Sequence, residues 1–272
     1  MTTAARDLSL EDGQPVRCYE FKRGPLRWMY TTADRDIVLS GRTFKGNSQI
    51  SDGGIDFTGQ ASIDTVDITM PVSSEIAIQY RGVPPSDTIQ LSIWDYHYGE
   101  SDYLVVWVGL IQNVVFQDDI SAKITCASIA ASMDSPGLRL RWQRGCPYTL
   151  YDRNCKADEE TFRVKTTVLS AAGMVAVIQA GSDYPEGWFD GGYMEWDIGQ
   201  GVMERRGIMY HSGQNFTILG GVFGIDANIA VSLFPGCVRT TAICDSKFNN
   251  ILNYGGVPHL PGNSPFDGNP VF

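Results

Sequence analysis

The chain has 272 residues, 43% hydrophobic and 19% charged, enough to bury a sizeable core in one or two domains without disulfides or metals. Its formal net charge of −10 and pI near 4.7 argue against sequence-independent DNA binding, which needs basic surface to replace phosphate counterions. The same acidity suits a soluble surface, or a wall that DNA slides past without sticking.

The start, Met1 to Glu11, is polar, carries Arg6, Asp7 and Glu11, and lacks the apolar stretch of a secretory signal. The longest apolar run, Leu104 to Ile111, is too short to span a bilayer as a helix, so no stable membrane insertion is expected. These features point to a reducing cytoplasm, where six cysteines serve as thiols or metal ligands rather than disulfides.

Up to about residue 140 the texture is β, with no internal repeat and no low-complexity tract. Val66, Ile68 and Met70 alternate with Asp67 and Thr69, the pattern of a half-buried strand. A short helix is expected over Ser73 to Tyr80, with Ser73 as N-cap, Ile76 and Tyr80 on one face, and Val83-Pro84-Pro85-Ser86 ending it. Tyr103 to Phe116 is rich in β-branched and aromatic residues and reads as a strand. After a turn at Asp118-Asp119, Ile124, Cys126 and Ser128 complete a long hairpin.

A second β region runs from Thr161 to Leu233. Val164, Thr166 and Val168 alternate, glycines punctuate the segment, and Glu204 to His211 pairs with Asn215 to Leu219 around Ser212-Gly213. It reads as a small β domain or barrel of roughly 70 residues. Thr241 to Tyr254 is then expected as a helix with Cys244, Phe248, Ile251 and Leu252 on one apolar stripe, stopped by Gly255-Gly256. A Pro/Gly tail follows, containing Pro258, Pro261, Gly262, Pro265, Gly268 and Pro270. The fold is therefore mainly β: an N-terminal β-sandwich or barrel over 1–140, a first cysteine segment over 141–160, an inserted small β domain over 161–233, and a C-terminal cysteine and helix segment over 234–272.

Four of the six cysteines form two pairs, Cys146 with Cys155 and Cys237 with Cys244, flanking the second β region. Their gaps exceed the two to four residues of a zinc knuckle. Iron–sulfur sites take more varied spacing. Gly145, Pro147, Pro235 and Gly236 let the backbone turn closely beside the thiols. Cys244, near the start of its helix, is expected to have a lowered pKa. Spacing alone leaves a metal or cluster site, reduced core thiols and late-forming disulfides all open. Cys18 and Cys126 lie in apolar strand patterns and read as core residues.

Other chemistry finds little support. His97, His211 and His259 form no H-E-x-x-H pattern and read as surface or hydrogen-bonded loop residues. Gly53-Gly54 and Gly191-Gly192 are turn glycines, not a phosphate loop, and Asp118-Asp119 and Asp158-Glu159-Glu160 read as solvated acids.

The stretch Pro235-Gly236-Cys237-x6-Cys244-x3-Phe248-Asn249-Asn250-x2-Asn253-Tyr254-Gly255-Gly256-Val257-Pro258-x2-Pro261-Gly262 resembles the signature of tail-tip hub proteins of long-tailed phages, gene transfer agents and prophages. Cys146-Pro147-Tyr148-x-Leu150-Tyr151-x3-Cys155 is similar to that family's first cysteine pair. Tyr19-Glu20-Phe21, Tyr30-Thr31-Thr32 and Gly41-Arg42-Thr43-Phe44 are similar to its N-terminal domain, less distinctively. The phage lambda tail-tip protein L is a more distant relative in role. Tyr254 and Val257 stand where the family often has Phe, which changes packing and leaves the cysteines intact.

The resemblance implies a non-enzymatic structural virion protein, a homotrimeric baseplate hub at the tail tip, assembled in the host bacterial cytoplasm. It implies attachment to the distal tail protein ring and to the central fibre or receptor-contact protein, with the tape measure protein as a further neighbour. DNA would pass through its channel without specific binding. It also implies that Cys146, Cys155, Cys237 and Cys244 bind a [4Fe–4S] cluster, which would clasp the ends of the inserted domain. Asn249, Asn250 and Asn253 would hydrogen-bond the loop backbone there, or simply cap the helix. The alternatives are a tail-associated cell-wall peptidase and a zinc-stabilised carbohydrate-binding module.

Overall fold

The computed structural model describes residues 13–260 except 48, 56–63, 101, 135–136 and 138–139. The polar start and the tail beyond residue 260 lie outside the described residues. The described chain forms two compact units. The first holds the residues up to 134 with the short segment Gly199–Val202; the second holds the remainder from 137 on.

The first unit is a nine-stranded sheet. Its strands are β1 (Pro15–Arg23), β2 (Leu26–Thr31), β3 (Ile37–Leu39), β4 (Arg42–Gly46), β5 (Ser51–Asp52), β6 (Thr65–Pro71), β7 (Gln90–His97), β8 (Tyr103–Phe116) and β9 (Ser121–Ser128). Their spatial order is β3-β4-β2-β1-β7-β8-β9-β6-β5. β2 and β4 pair in parallel, while the central pairs are antiparallel. Successive strand side chains point to opposite faces, and both faces here are apolar. Tyr19, Phe21, Ile68, Leu91, Ile93 and Ile124 belong to one buried cluster, whereas Cys18, Phe44, Trp94 and Tyr96 belong to another.

The expected hairpin of β8 and β9 is present, turned by Asp118, whose carboxylate accepts from the Ile120 and Ser121 N–H groups. The expected short helix is α1 (Glu75–Gln79), and its N-cap is Ser74 rather than Ser73. Ser74 has the extended backbone of a cap and accepts from Ala77 N–H, so the helix begins one residue later than expected.

The second unit contains a closed barrel, matching the small β barrel expected from the sequence. Its strands are β10 (Val164–Ala172), β11 (Val175–Ile178), β12 (Tyr193–Asp197), β13 (Met203–Ser212), β14 (Asn215–Ile218) and β15 (Ala230–Phe234). They run β10-β11-β14-β13-β12-β15, and β15 closes on β10 through Val164 opposite Leu233. Val168, Ile178, Phe189, Met194, Phe216 and Leu233 fill the core.

The C-terminal helix is shorter than its sequence pattern suggested. α2 spans Thr241–Ser246, capped by the Thr240 hydroxyl accepting from Ile243 N–H. Asn249 then adopts φ +47, a left-handed conformation that breaks an α-helix, and Ile251–Asn253 forms a separate 3-10 turn. The proposed stripe therefore splits: Cys244 and Phe248 are buried, but Leu252 is 97% exposed.

Candidate metal centre

The residues flanking the barrel fold onto each other. The Cys146 N–H donates to Arg239 O at 3.0 Å, joining the first cysteine segment to the second. Val257 N–H donates to Gln143 O at 2.9 Å, and the Tyr254 hydroxyl reaches both Arg144 O and Arg239 O. Gly255 and Gly256 do not stop the helix. A Cβ on Gly255 would collide with the Tyr148 ring, and one on Gly256 with Arg144 O, so these glycines permit close approach of the two segments.

Cys155 and the segment leading to Cys237 have their own supports. Asp152 accepts from the Asn154 and Cys155 N–H groups at 2.8 and 2.6 Å, an Asx-type turn that fixes Cys155. Cys237 follows the end of β15, where Gly236 lies too close to Asp190 O and the backbone at 191–192 to carry a side chain. The Lys247 ammonium donates to Gly236 O at 2.8 Å and to Trp188 O, and lies over the Trp188 ring. Tyr151 donates its hydroxyl to Pro235 O and packs edge-on against Tyr193, Phe234 and Phe248.

Cys146, Cys155, Cys237 and Cys244 together line one cavity of about 210 Å³, walled also by Tyr148 and Asn250. None of the described cysteines is in a disulfide. Among the described residues, no three His, Cys, Asp or Glu side chains stand close enough to share a single metal ion. The arrangement differs from a tight tetrahedral ion site, in which all donors meet at one point. An all-thiol donor set around a wider space fits the chemistry of an iron–sulfur cluster, whose irons take thiolates at separated points. Two N–H donors already address the sulfurs: Arg239 N–H reaches Cys237 Sγ at 3.3 Å, and Asn250 Nδ2 reaches Cys155 Sγ at 3.6 Å. Such donors favour anionic sulfur.

Residues 5–158 match the family described as baseplate hub protein, N-terminal attachment domain. The chain belongs to that family. Residues 187–264 match a second family, phage conserved hypothetical protein BR0599, so Cys146 and Cys155 fall in one match and Cys237 and Cys244 in the other. The whole chain superposes on a protein of the virion of a native gene transfer agent particle, with a TM-score of 0.79, 17% identity and coverage of 100% of this chain and 99% of that one. That likeness is one of fold. An uncharacterized protein of Xylella fastidiosa (strain 9a5c) is 28% identical over 203 residues, 69% of this chain, and the matched region spans 40% of the relative's length. The hub family is thus a family of structural phage proteins, in keeping with the sequence resemblance.

Several expectations need correction at this site. The Cys244 thiol is not lowered in pKa but raised, first by burial and then by the neighbouring Cys237, Cys155 and Cys146. Burial and mutual repulsion among thiolates outweigh any help from the end of a six-residue helix. His97 and His211 are buried in β7 and β13 rather than on the surface or in loops, and His211 is hydrogen-bonded as expected, its Nε2 3.1 Å from Gly181 O. Glu159 is half-buried and pairs with the Tyr193 hydroxyl and Arg205, so it is not simply a solvated acid. Asn250 does bond the loop backbone, donating to Cys155 O at 2.6 Å. Lys247, Tyr151 and Asp152 were missed from the sequence. Asp152 stands two residues before Asn154, the spacing of an Asx turn, which a local sequence signal can reveal.

A larger concavity of about 510 Å³ opens in the first unit. Its charges are already matched: Arg17 bonds both Asp95 and Asp52, and the Tyr19 hydroxyl donates to Asp52 at 2.7 Å. It is a satisfied ionic network rather than a set of groups awaiting a ligand.

Proposed function

We propose that the chain is a non-enzymatic hub of a phage-type tail tip or baseplate, with a [4Fe–4S] cluster held by Cys146, Cys155, Cys237 and Cys244 as a structural clasp. One observation carries the proposal: cysteines from both sides of the barrel, separated by about eighty positions between Cys155 and Cys237, line a single cavity. Membership of the baseplate hub family supports the setting. A cluster bound there supplies four metal–thiolate bonds that tie the two cysteine segments together. The protein's own part is to hold the thiols apart at the walls of one space, with Asp152 setting the Cys155 loop and Lys247 anchoring the segment before Cys237. The hub forms a homotrimer between the distal tail protein ring and the central fibre or receptor-contact protein, beside the tape measure protein, and its channel passes DNA without specific contacts. It sits in the virion tail tip after assembly in the bacterial cytoplasm.

Protein purified anaerobically should carry about four irons and four sulfides per chain. One zinc per chain, or two disulfides without metal, overturns the cluster. An assembled tail viewed by electron microscopy should show three copies around the channel, and any other symmetry refutes the trimer. Lysis of cell walls by the purified chain would replace the structural assignment with an enzymatic one.

A further inference from the structure

We propose that Asn250 is the positioning residue of the cysteine cavity, holding one thiol from each pair in place before a cluster binds. The proposal rests on the cluster assignment only for what the thiols are held for; the geometry itself is independent of metal. Asn250 is 9% exposed and every polar group on it is engaged. Its N–H donates to Cys244 O at 2.9 Å, and its C=O accepts from the Cys244 thiol at 3.3 Å and from Asn253 N–H at 3.0 Å. Its side-chain Nδ2 donates to Cys155 O at 2.6 Å and approaches Cys155 Sγ at 3.6 Å. Thus one residue grips Cys155 from the first pair and Cys244 from the second.

Two neighbours make this grip directional. Asn249, three residues past the end of α2, takes the left-handed turn, which asparagine tolerates better than most residues, and Asn250 follows it turned inward. Asn253 Nδ2 donates to Asn250 Oδ1 at 2.6 Å. That bond fixes the amide orientation: flipped, Asn250 would set its oxygen against Cys155 O and its NH₂ against the NH₂ of Asn253, losing both bonds. Asn253 therefore acts as the keeper of the Asn250 donor. A hydrogen-bond donor aimed at a ligating sulfur and its backbone is the outer support that ligand residues in metal sites generally use.

The test uses the full chain with Asn250→Leu, which keeps the shape and removes the donor without adding charge, and Asn253→Ala, which frees the amide to flip. In metal-free, reduced protein, the rate of iodoacetamide labelling at each cysteine is read by mass spectrometry. Asn250→Leu should release the Cys155 loop and speed labelling of Cys155 several-fold, leave Cys244 unchanged because its bonds run to the Asn250 main chain, leave Cys146 and Cys18 unchanged, and Asn253→Ala should fall between it and the parent. After anaerobic reconstitution with iron and sulfide, both variants should bleach faster in air than the parent at the visible cluster absorbance. Parent-like labelling at Cys155, or equal acceleration at all four cavity cysteines, overturns the positioning role. If the parent chain takes up no iron, the cluster assignment fails while the labelling pattern still decides the role of Asn250. If parent and variants take up iron alike, bleach alike and label alike, the cluster stands and Asn250 is an ordinary turn residue.

Discussion

Cysteines occur in both units of the molecule, and the two settings give them different chemistry. In the sheet unit, Cys18 and Cys126 are fully buried in strands β1 and β9 among aliphatic and aromatic side chains. Burial pushes both thiols up in pKa, which keeps them protonated and inert. In the barrel unit, Cys146, Cys155, Cys237 and Cys244 stand on loops and one short helix, where turns, glycines and asparagines bring them to a common space. The first setting is stabilised by apolar area and needs no ligand. In the second, Leu252 and Val238 are left exposed while Tyr151 and Phe248 pack beside the cysteines, and the thiols are positioned by hydrogen bonds and, in our proposal, metal–thiolate bonds. The same residue type thus serves as packing where strands surround it and as a ligand candidate where loops converge.

The contrast breaks most visibly on removing a ligand. Cys237→Ser should abolish iron binding and loosen the barrel unit. By analogy with a cross-link closing a loop of this length, the loss is on the order of 4 kcal/mol as an upper guide, to which the cluster's own binding energy relates separately. Cys18→Ala should leave iron content unchanged. Iron content, calorimetry and the yield of infectious particles from a phage carrying each change measure the difference. Particles with Cys237→Ser that assemble normally, melt normally and fail only at DNA delivery would overturn the clasp and favour a triggered role.

The converse change is in the sheet. Ile68 is fully buried in β6 within the larger apolar cluster. Ile68→Ala should cost about 3 kcal/mol, the usual range for deleting a buried aliphatic side chain. Iron content per folded chain should stay at the parent value. A fall in iron as large as that of Cys237→Ser would mean that the units are not separate in what stabilises them.

The sheet and barrel were legible because alternation in β6 and β10, and the hairpin around Ser212-Gly213, are local signals read over a few residues. The four candidate ligands were legible as pairs, since cysteine is rare and its spacing stands out. The C-terminal helix ends earlier than its periodicity implies, because the spacing of Cys244, Phe248, Ile251 and Leu252 carries no information on the left-handed Asn249 between them. Glycines after a helix usually signal its stop, and Gly255-Gly256 carries that local signal. Its contact is instead with Tyr148, more than a hundred positions earlier, and no local pattern reveals such an approach. The raised Cys244 pKa has the same origin: its burial, and then its neighbours Cys237, Cys155 and Cys146, arise only in the folded chain.

A smaller effect tests the ionic side of the sheet unit. Burial alone would raise the Asp52 carboxyl, but hydrogen bonds from Tyr19 and Arg17 outweigh it and hold the pKa below the usual value. A carboxyl depressed on folding contributes stability that is complete above its unfolded pKa, about 3.9, and is lost as pH falls through the folded value. Asp52→Asn should therefore cost roughly 1 kcal/mol or less at neutral pH, as partly exposed ion pairs do, and the cost should shrink on acidification below about pH 4. Urea titrations of parent and variant at neutral and acid pH read the convergence. A difference that widens with acid would mean that Asp52 is protonated in the folded protein.

The smallest effect separates the sequence pattern from the structure. If residues 241–254 formed one amphipathic helix, Leu252 would face the core beside Phe248, and Leu252→Ala would cost about 2 to 5 kcal/mol. In the structure the chain turns at Asn249, Leu252 is 97% exposed on the 3-10 turn, and its side chain contributes almost nothing to folding of the isolated chain. Leu252→Ala should then change stability by no more than about 0.5 kcal/mol, the range of ordinary surface substitutions. Its iron content and its Cys155 and Cys244 labelling rates should match the parent, because Asn250 and Asn253 keep their bonds without it. A loss of several kcal/mol on this substitution would restore the continuous helix, and with it would remove the turn that aims Asn250 at the cysteines.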